Sequence, residues 1–184
     1  LIPAVLEQRV PGVDAFRSWR LLVTTYGTPA PGPAPAMMRV PPSAQAWRMI
    51  PSWEFHRANV DPGRARTLIG CAVRADSLER LTARTPAEAR EALMSLPGVG
   101  VWTAAETAQR AFGDADALSV GDYHVSKMIG WTLLGRPIDD ADMVELLEPM
   151  RPHRYRAVRL LEVSGLAREP RRGPRLPVQQ ISGI

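Results

Sequence analysis

Apolar residues recur every three to four positions in eight segments of the chain, and convincing strand alternation appears in none of them. The segments run from Ile2 to Val10, Phe16 to Tyr26, Leu68 to Leu81, Ala87 to Leu96, Trp102 to Phe112, Val125 to Leu134, Met143 to Met150 and Val158 to Leu166. Turn chemistry separates them: PGVD at 11–14, VDPG at 60–63, Thr85-Pro86, GDAD at 113–116 and RPIDDAD at 136–142. The predicted class is therefore all-α. With 184 residues and an apolar share of 45%, the chain can bury one sizeable core or two small helical lobes.

The ends and one internal stretch break this pattern. Residues 27–42, GTPAPGPAPAMMRVPP, are too rich in proline for a helix and predict an extended, polyproline-like connector. From Arg168 to Ile184, Pro, Gly and Arg mix without periodicity, which predicts a basic disordered tail. The opening LIPAVLEQRV reads as the middle of an amphipathic helix, so an N-terminal region is expected to precede it. No run approaches the roughly 18–20 apolar residues of a membrane span, and no segment has the layout of a signal peptide. A cytoplasmic protein without a membrane partner is the expectation.

The single cysteine, Cys71, excludes an intramolecular disulfide, a four-cysteine zinc site and a four-cysteine iron–sulfur cluster within this chain. Its setting, TLIGCAV, predicts a buried small hydrophobe. Trp53, Phe55 and His56 of PSWEFH are likewise expected to pack rather than to bind. A net charge of +4, a pI near 10.0 and basic groups that are all arginine except Lys127 favour a polyanionic partner.

The most informative segment is LPGVGVWTAA, Leu96 to Ala105, between the amphipathic runs AEAREALM and AAETAQRAF. Pro97 ends the first helix, Gly98 and Gly100 allow positive φ, and Val99 can plug the space between the two helices. The turn delivers a helix N-terminus to the surface. Amides at glycines can approach a phosphate oxygen closely, and the helix dipole favours the anion. Such a contact positions a protein on a nucleic-acid backbone without reading its sequence. The bland alternative is a plain αα-hairpin with a glycine turn.

About twenty residues beyond the hairpin glycines, Asp122 follows Gly121 and precedes the apolar run YHVSKMIGWTLL. It can cap that helix, and a cap is also a place where backbone amides fix a carboxylate for chemistry. The two roles are compatible.

LPGVGVWTA followed by LSVGDYHVSKMIGW resembles the helix-hairpin-helix, Gly/Pro-rich loop and aspartate signature of the base-excision DNA glycosylase superfamily, especially its 3-methyladenine DNA glycosylase II branch. The resemblance covers residues 1–166, with LEQRV and RPHRYRAVRLLEVSG falling where that family has corresponding segments. It implies two helical lobes, from residue 1 to 167, flanking an active-site cleft, with the hairpin at 86–112. It also implies a monomer acting on double-stranded DNA that contains a damaged base, associated with a bacterial nucleoid.

Carried over residue by residue, the resemblance makes Asp122 catalytic and places Gly98, Gly100 and Thr103 on the DNA backbone. It puts Trp102 and Tyr123 in the base pocket. Glu106 and His153 depart from the family pattern there, standing where a tyrosine and a tryptophan are usual. Gln8 and Arg9 match the element that fills the gap left by a flipped nucleotide, Arg9 replacing an apolar wedge. Backbone carbonyls of Met94, Leu96 and Val99 would hold Na+ or K+ at the hairpin, with no other cofactor and no iron–sulfur cluster.

Trp102 stands where backbone-nicking members carry a lysine, and an indole forms no imine, so a monofunctional enzyme that leaves an abasic site is implied. Two alternatives stay open. One is a non-catalytic helix-hairpin-helix module that tethers a larger assembly to DNA; the other is a glycosylase for deaminated or oxidised bases.

Overall fold

A computed structural model describes residues 1–166 and 180–181. In chain order its helices are α1 (Ile2–Leu6), α2 (Gly12–Tyr26), α3 (Ala44–Met49), α4 (Ser52–Arg57), α5 (Pro62–Val73), α6 (Ala75–Glu79), α7 (Pro86–Met94), α8 (Val101–Ala111), α9 (Val125–Leu134), α10 (Asp140–Leu146) and α11 (Arg154–Ser164). Two short strands, β1 (Thr28–Pro29) and β2 (Arg39–Val40), lie between α2 and α3. The described residues divide into two compact units. The first comprises Leu1–Arg80, Leu96–Gly98 and residues 180–181, and the second Leu81–Ser95 and residues 99–166. None of these helices is long and apolar enough to cross a membrane.

In the first unit, Val5, Leu6, Leu22, Trp47, Phe55, Val60 and Leu68 are buried together, with Trp19 stacked on Trp47 at 6.3 Å. A charged group is buried beside this core: Arg64 donates to the Leu6 carbonyl at 2.6 Å, the Asn59 carbonyl at 3.0 Å and Asp61 Oδ2 at 2.5 Å. Asp61 also caps α5 by accepting from the amides of Gly63 and Arg64. Burial works against ionisation of its carboxyl, but the Arg64 hydrogen bonds outweigh it and hold the group below its ordinary range. Cys71 is buried as expected, and burial pushes its thiol upward.

In the second unit α7 and α8 pack as a hairpin. A capping box starts α7, with Thr85 Oγ1 accepting from the Glu88 amide and Glu88 accepting from the Thr85 amide. Leu118, Met128, Ile129, Ile138, Met143, Leu147 and Val158 form the core beneath α9, α10 and α11. Buried Arg154 donates to both oxygens of Asp116, at 2.8 and 2.6 Å, and thereby fixes the start of α11 to the loop after α8. That loop also carries an ion pair between Asp114 and Arg90.

Several sequence-based expectations need correction. The 27–42 stretch does not run straight. Its ends pair antiparallel, Thr28 with Val40 and Pro29 with Arg39, while Ala30 donates to the Met38 carbonyl. Proline removes a donor but not an acceptor, so a two-residue ladder survives at each end and adds a small sheet to an otherwise helical fold.

VDPG at 60–63 is not a turn between helices but the cap and first turn of α5, which begins six residues before Leu68. Trp53 is 68% exposed on α4 rather than packed, whereas Phe55 is fully buried. Most of the expected tail from 168 lies outside the described residues, although the Ile181 amide donates to Asn59 Oδ1 at 2.8 Å.

Candidate active site

The turn that follows α7 starts with Ser95, whose hydroxyl donates to the Ala92 carbonyl. Gly98 then adopts φ 83, and a Cβ built there would lie 2.0 Å from Thr67 Oγ1 on α5. Both conformation and space thus require glycine. We expect Gly98→Ala to unseat the turn from α5 at a cost of about 2 kcal/mol or more. Urea unfolding checks this, and an unchanged midpoint would contradict it.

Gly100 differs from its expected role: it is extended, at φ −95, where any residue fits, and a Cβ there would meet nothing within 4 Å. Its small size keeps that side of the turn open. Val99 is buried, and Met94 and Leu96 lie at the end of α7 and in the turn. Thr103, expected on the DNA backbone, is only 3% exposed and lies inside the second unit, because three residues into α8 the chain has rotated to its inner face.

Gln8 and Arg9 follow α1 in the first unit. The Gln8 side-chain amide donates to the Gly98 carbonyl at 2.9 Å. Arg9 is exposed at φ 55, a left-handed conformation uncommon for a residue with a β-carbon.

Asp122 lies in the second unit on a turn set by Gly121 at φ 90. Its Oδ1 accepts from the amides of His124 at 2.8 Å and Val125 at 3.1 Å, capping the entry to α9. Its Oδ2 accepts from the indole N–H of Trp102 at 2.9 Å. Three donors from two elements therefore fix both oxygens of a half-buried carboxylate.

The preceding backbone is braced as well. The Gly121 amide donates to Asp140 Oδ2 at 2.8 Å. Gln109 donates to the Ala117 carbonyl and to Ser119 Oγ, both at 2.9 Å, and Ser119 Oγ donates to Glu106 Oε1.

The other expected pocket residues are distributed unevenly. Trp102 stands against Asp122, donating its N–H to the carboxylate. Glu106 is buried, with one oxygen accepting from Ser119 and the other from Arg110 at 2.5 Å, so its charge is matched internally. Tyr123 is 67% exposed; Lys127 Nζ sits 3.7 Å over its ring and His124 meets its edge. One face of that ring already carries a cation. His153 is exposed at the start of α11, where its amide donates to the Met150 carbonyl.

Sequence reasoning did not find Asp140, Ser119 or Gln109. The acidic run DDAD at 139–142 was visible only as part of the RPIDDAD turn; Asp139 in fact caps α10, which starts at Asp140.

Solved structures share the fold that carries these residues. A 3-methyladenine DNA glycosylase from Archaeoglobus fulgidus superposes with a TM-score of 0.73 at 19% identity, covering 88% of this chain and 56% of that one. An 8-oxoguanine glycosylase/lyase from Clostridium acetobutylicum gives 0.72 at 16%, covering 88% and 57%. A DNA-3-methyladenine glycosidase from Bacillus halodurans gives 0.64 at 16%, covering 89% and 73%.

The chain has the fold of the helix-hairpin-helix DNA glycosylases. It spans little more than half the length of the first two structures. No family model matches the sequence, nor does any curated protein sequence. On this glycosylase fold, the hairpin is α7–turn–α8, and the aspartate turn leads into α9.

Proposed function

We propose that the chain is the core of a DNA glycosylase that flips a damaged, alkylated purine from duplex DNA and hydrolyses its N-glycosidic bond, leaving an abasic site. The observation that carries this reading is the Asp122 carboxylate, fixed by Trp102, His124 and Val125. As the base departs, positive charge develops on the deoxyribose. A preorganised carboxylate lowers that barrier electrostatically and can orient or deprotonate the attacking water. The glycosylases of similar structure act, by their names, on 3-methyladenine or 8-oxoguanine.

The residue at 102 supports monofunctional chemistry. Backbone nicking through an imine needs an amine nucleophile, and the indole N–H of Trp102 instead donates to Asp122. Lys127, the one lysine, places its ammonium over the Tyr123 ring.

An alkylated purine with a cationic ring would stack on Trp102, while Gln8 and Arg9 fill the vacated space in the duplex. At the hairpin, the carbonyls of Met94, Leu96 and Val99 offer neutral oxygens suited to a monovalent cation. Among the described residues no cluster of His, Cys, Asp or Glu competes as a metal site.

The decisive experiment measures release of free base from duplexes carrying 3-methyladenine, 7-methylguanine, hypoxanthine or uracil. Release without strand scission, and without borohydride-trapped adducts, is the expected result. DNA binding with no release from any lesion would leave only a tethering module.

Trp102→Phe keeps an aromatic face, smaller than the indole, but removes the donor to Asp122. We expect base release to fall about tenfold or more with DNA affinity little changed, in line with the roughly 1.5–3 kcal/mol of a hydrogen bond to a charged group. An unchanged single-turnover rate would show that the indole does not position the carboxylate.

A further inference from the structure

In the first unit, α5 and the turn Leu96–Gly98 enclose an open groove of about 350 Å³. Its lining includes two guanidinium-bearing residues, Arg66 and Arg74, and no carboxylate. The arginines are eight residues apart, Arg66 on α5 and Arg74 at its C-cap, with Gly70 midway between them in sequence. Gly63 and Gly70 contribute no side chain, which hollows the helix surface where the arginines stand.

The two cations are held differently. Arg74 Nη1 donates to the Gly70 carbonyl at 3.1 Å, which folds its head along the helix. Arg66 is exposed and makes no hydrogen bond or ion pair among the described residues. Two other arginines of this unit have partners: Arg64 in Asp61 and two carbonyls, Arg57 in Glu54. A hollow flanked by two arginines without an acid is a site that favours an anion.

The groove ends at Gly98, whose carbonyl accepts from Gln8, the neighbour of exposed Arg9. Arginines therefore occur at both sides of the residue expected at a nucleic-acid backbone.

We propose that the Arg66–Arg74 groove seats a phosphodiester of the DNA backbone, extending the contact of the Gly98 turn along α5. The inference rests on the reading of the chain as a DNA-acting enzyme and adds a contact that no hairpin residue supplies. The ligand is defined by charge and geometry, not by base, so its contribution is uniform across sequences.

The test is the salt dependence of binding to an undamaged duplex, followed by fluorescence anisotropy between about 50 and 200 mM KCl. For Arg66→Ala/Arg74→Ala we expect affinity at the lower salt to fall about tenfold and the log–log slope to become shallower by about one to two. Arg66→Lys/Arg74→Lys, which keeps the charge, should retain most of the slope. Arg66→Ala alone, at an exposed residue, guards against misfolding of the double variant and should lower the slope by about one.

Equal affinity and slope in a variant with wild-type circular dichroism would overturn the proposal. So would inorganic phosphate perturbing the Arg66 side-chain NMR signal while the duplex slope stays at the wild-type value, since the groove would then hold small anions only. The reading as a glycosylase fails separately. Base release intact with an unchanged slope defeats the groove alone, whereas a shallower slope with no release from any lesion leaves the groove standing.

Discussion

Asp122→Asn should lower single-turnover base release by about 10² to 10³ while duplex affinity stays within about threefold, by analogy with removal of one preorganised catalytic group. The substitution is nearly isosteric, yet it changes two things at once. It removes the charge that faces the developing oxocarbenium ion. It also replaces one accepting oxygen by an NH2 group, and three donors now converge on that side chain from Trp102, His124 and Val125.

An asparagine can satisfy the two amides of the α9 cap, but its nitrogen then confronts the indole N–H, donor against donor. The Trp102 contact would be lost together with the charge. Retention of release within threefold of wild type would sink the assignment. A parallel loss of affinity would instead mean that the loop itself had collapsed.

The second large effect concerns stability. Asp116→Asn should destabilise the second unit by about 3 kcal/mol, because Arg154 is buried and its main partner becomes neutral. Arg154 donates to Asp116 at both oxygens and through its backbone amide, and Arg151 adds a further bond at 3.0 Å. The hydrogen bond from Arg154 is the chief reason the Asp116 carboxyl lies below its ordinary range.

A carboxyl with a lowered folded-state value stabilises above its unfolded value, near pH 4, and loses that contribution as pH falls through the folded value. The gap between wild type and Asp116→Asn should therefore be full at pH 7 and narrow below about pH 4. Urea midpoints at pH 7 and pH 3 measure both ends. A gap of equal size at the two pH values would exclude the ion pair as its source.

How much of this was legible depended on whether a signal was local. The hairpin was, because Leu96, Pro97, Gly98, Val99 and Gly100 carry turn chemistry in consecutive positions, and α8 and α9 followed from apolar spacing. α3 and α4 were missed: each is six residues long, and Met49 and Trp53 point to solvent, so neither shows a continuous apolar face. Asp61-Pro62 holds both a cap and a first-turn proline, which outweigh the turn tendency of VDPG once tertiary packing of α5 is available.

At the site, the family resemblance implied that Trp102 and Asp122 share a region, but not that one donates to the other, since that depends on side-chain torsions. Glu106 was a pocket candidate because it stands where the resembled family has a tyrosine; its partners Ser119 and Arg110 stand thirteen and four residues away. Only the fold shows that its charge is already answered.

The amide of Gln8 that reaches the Gly98 carbonyl joins two parts with separate expected tasks, the segment that would enter the duplex and the turn that would grip its strand. A displacement of either is felt by the other through a single bond, so Arg9 and Gly98 substitutions should not be additive. In thermodynamic terms, holding the strand and filling its gap would then be linked equilibria, and undamaged DNA, which offers the first without the second, would be held less tightly than DNA with an extruded base.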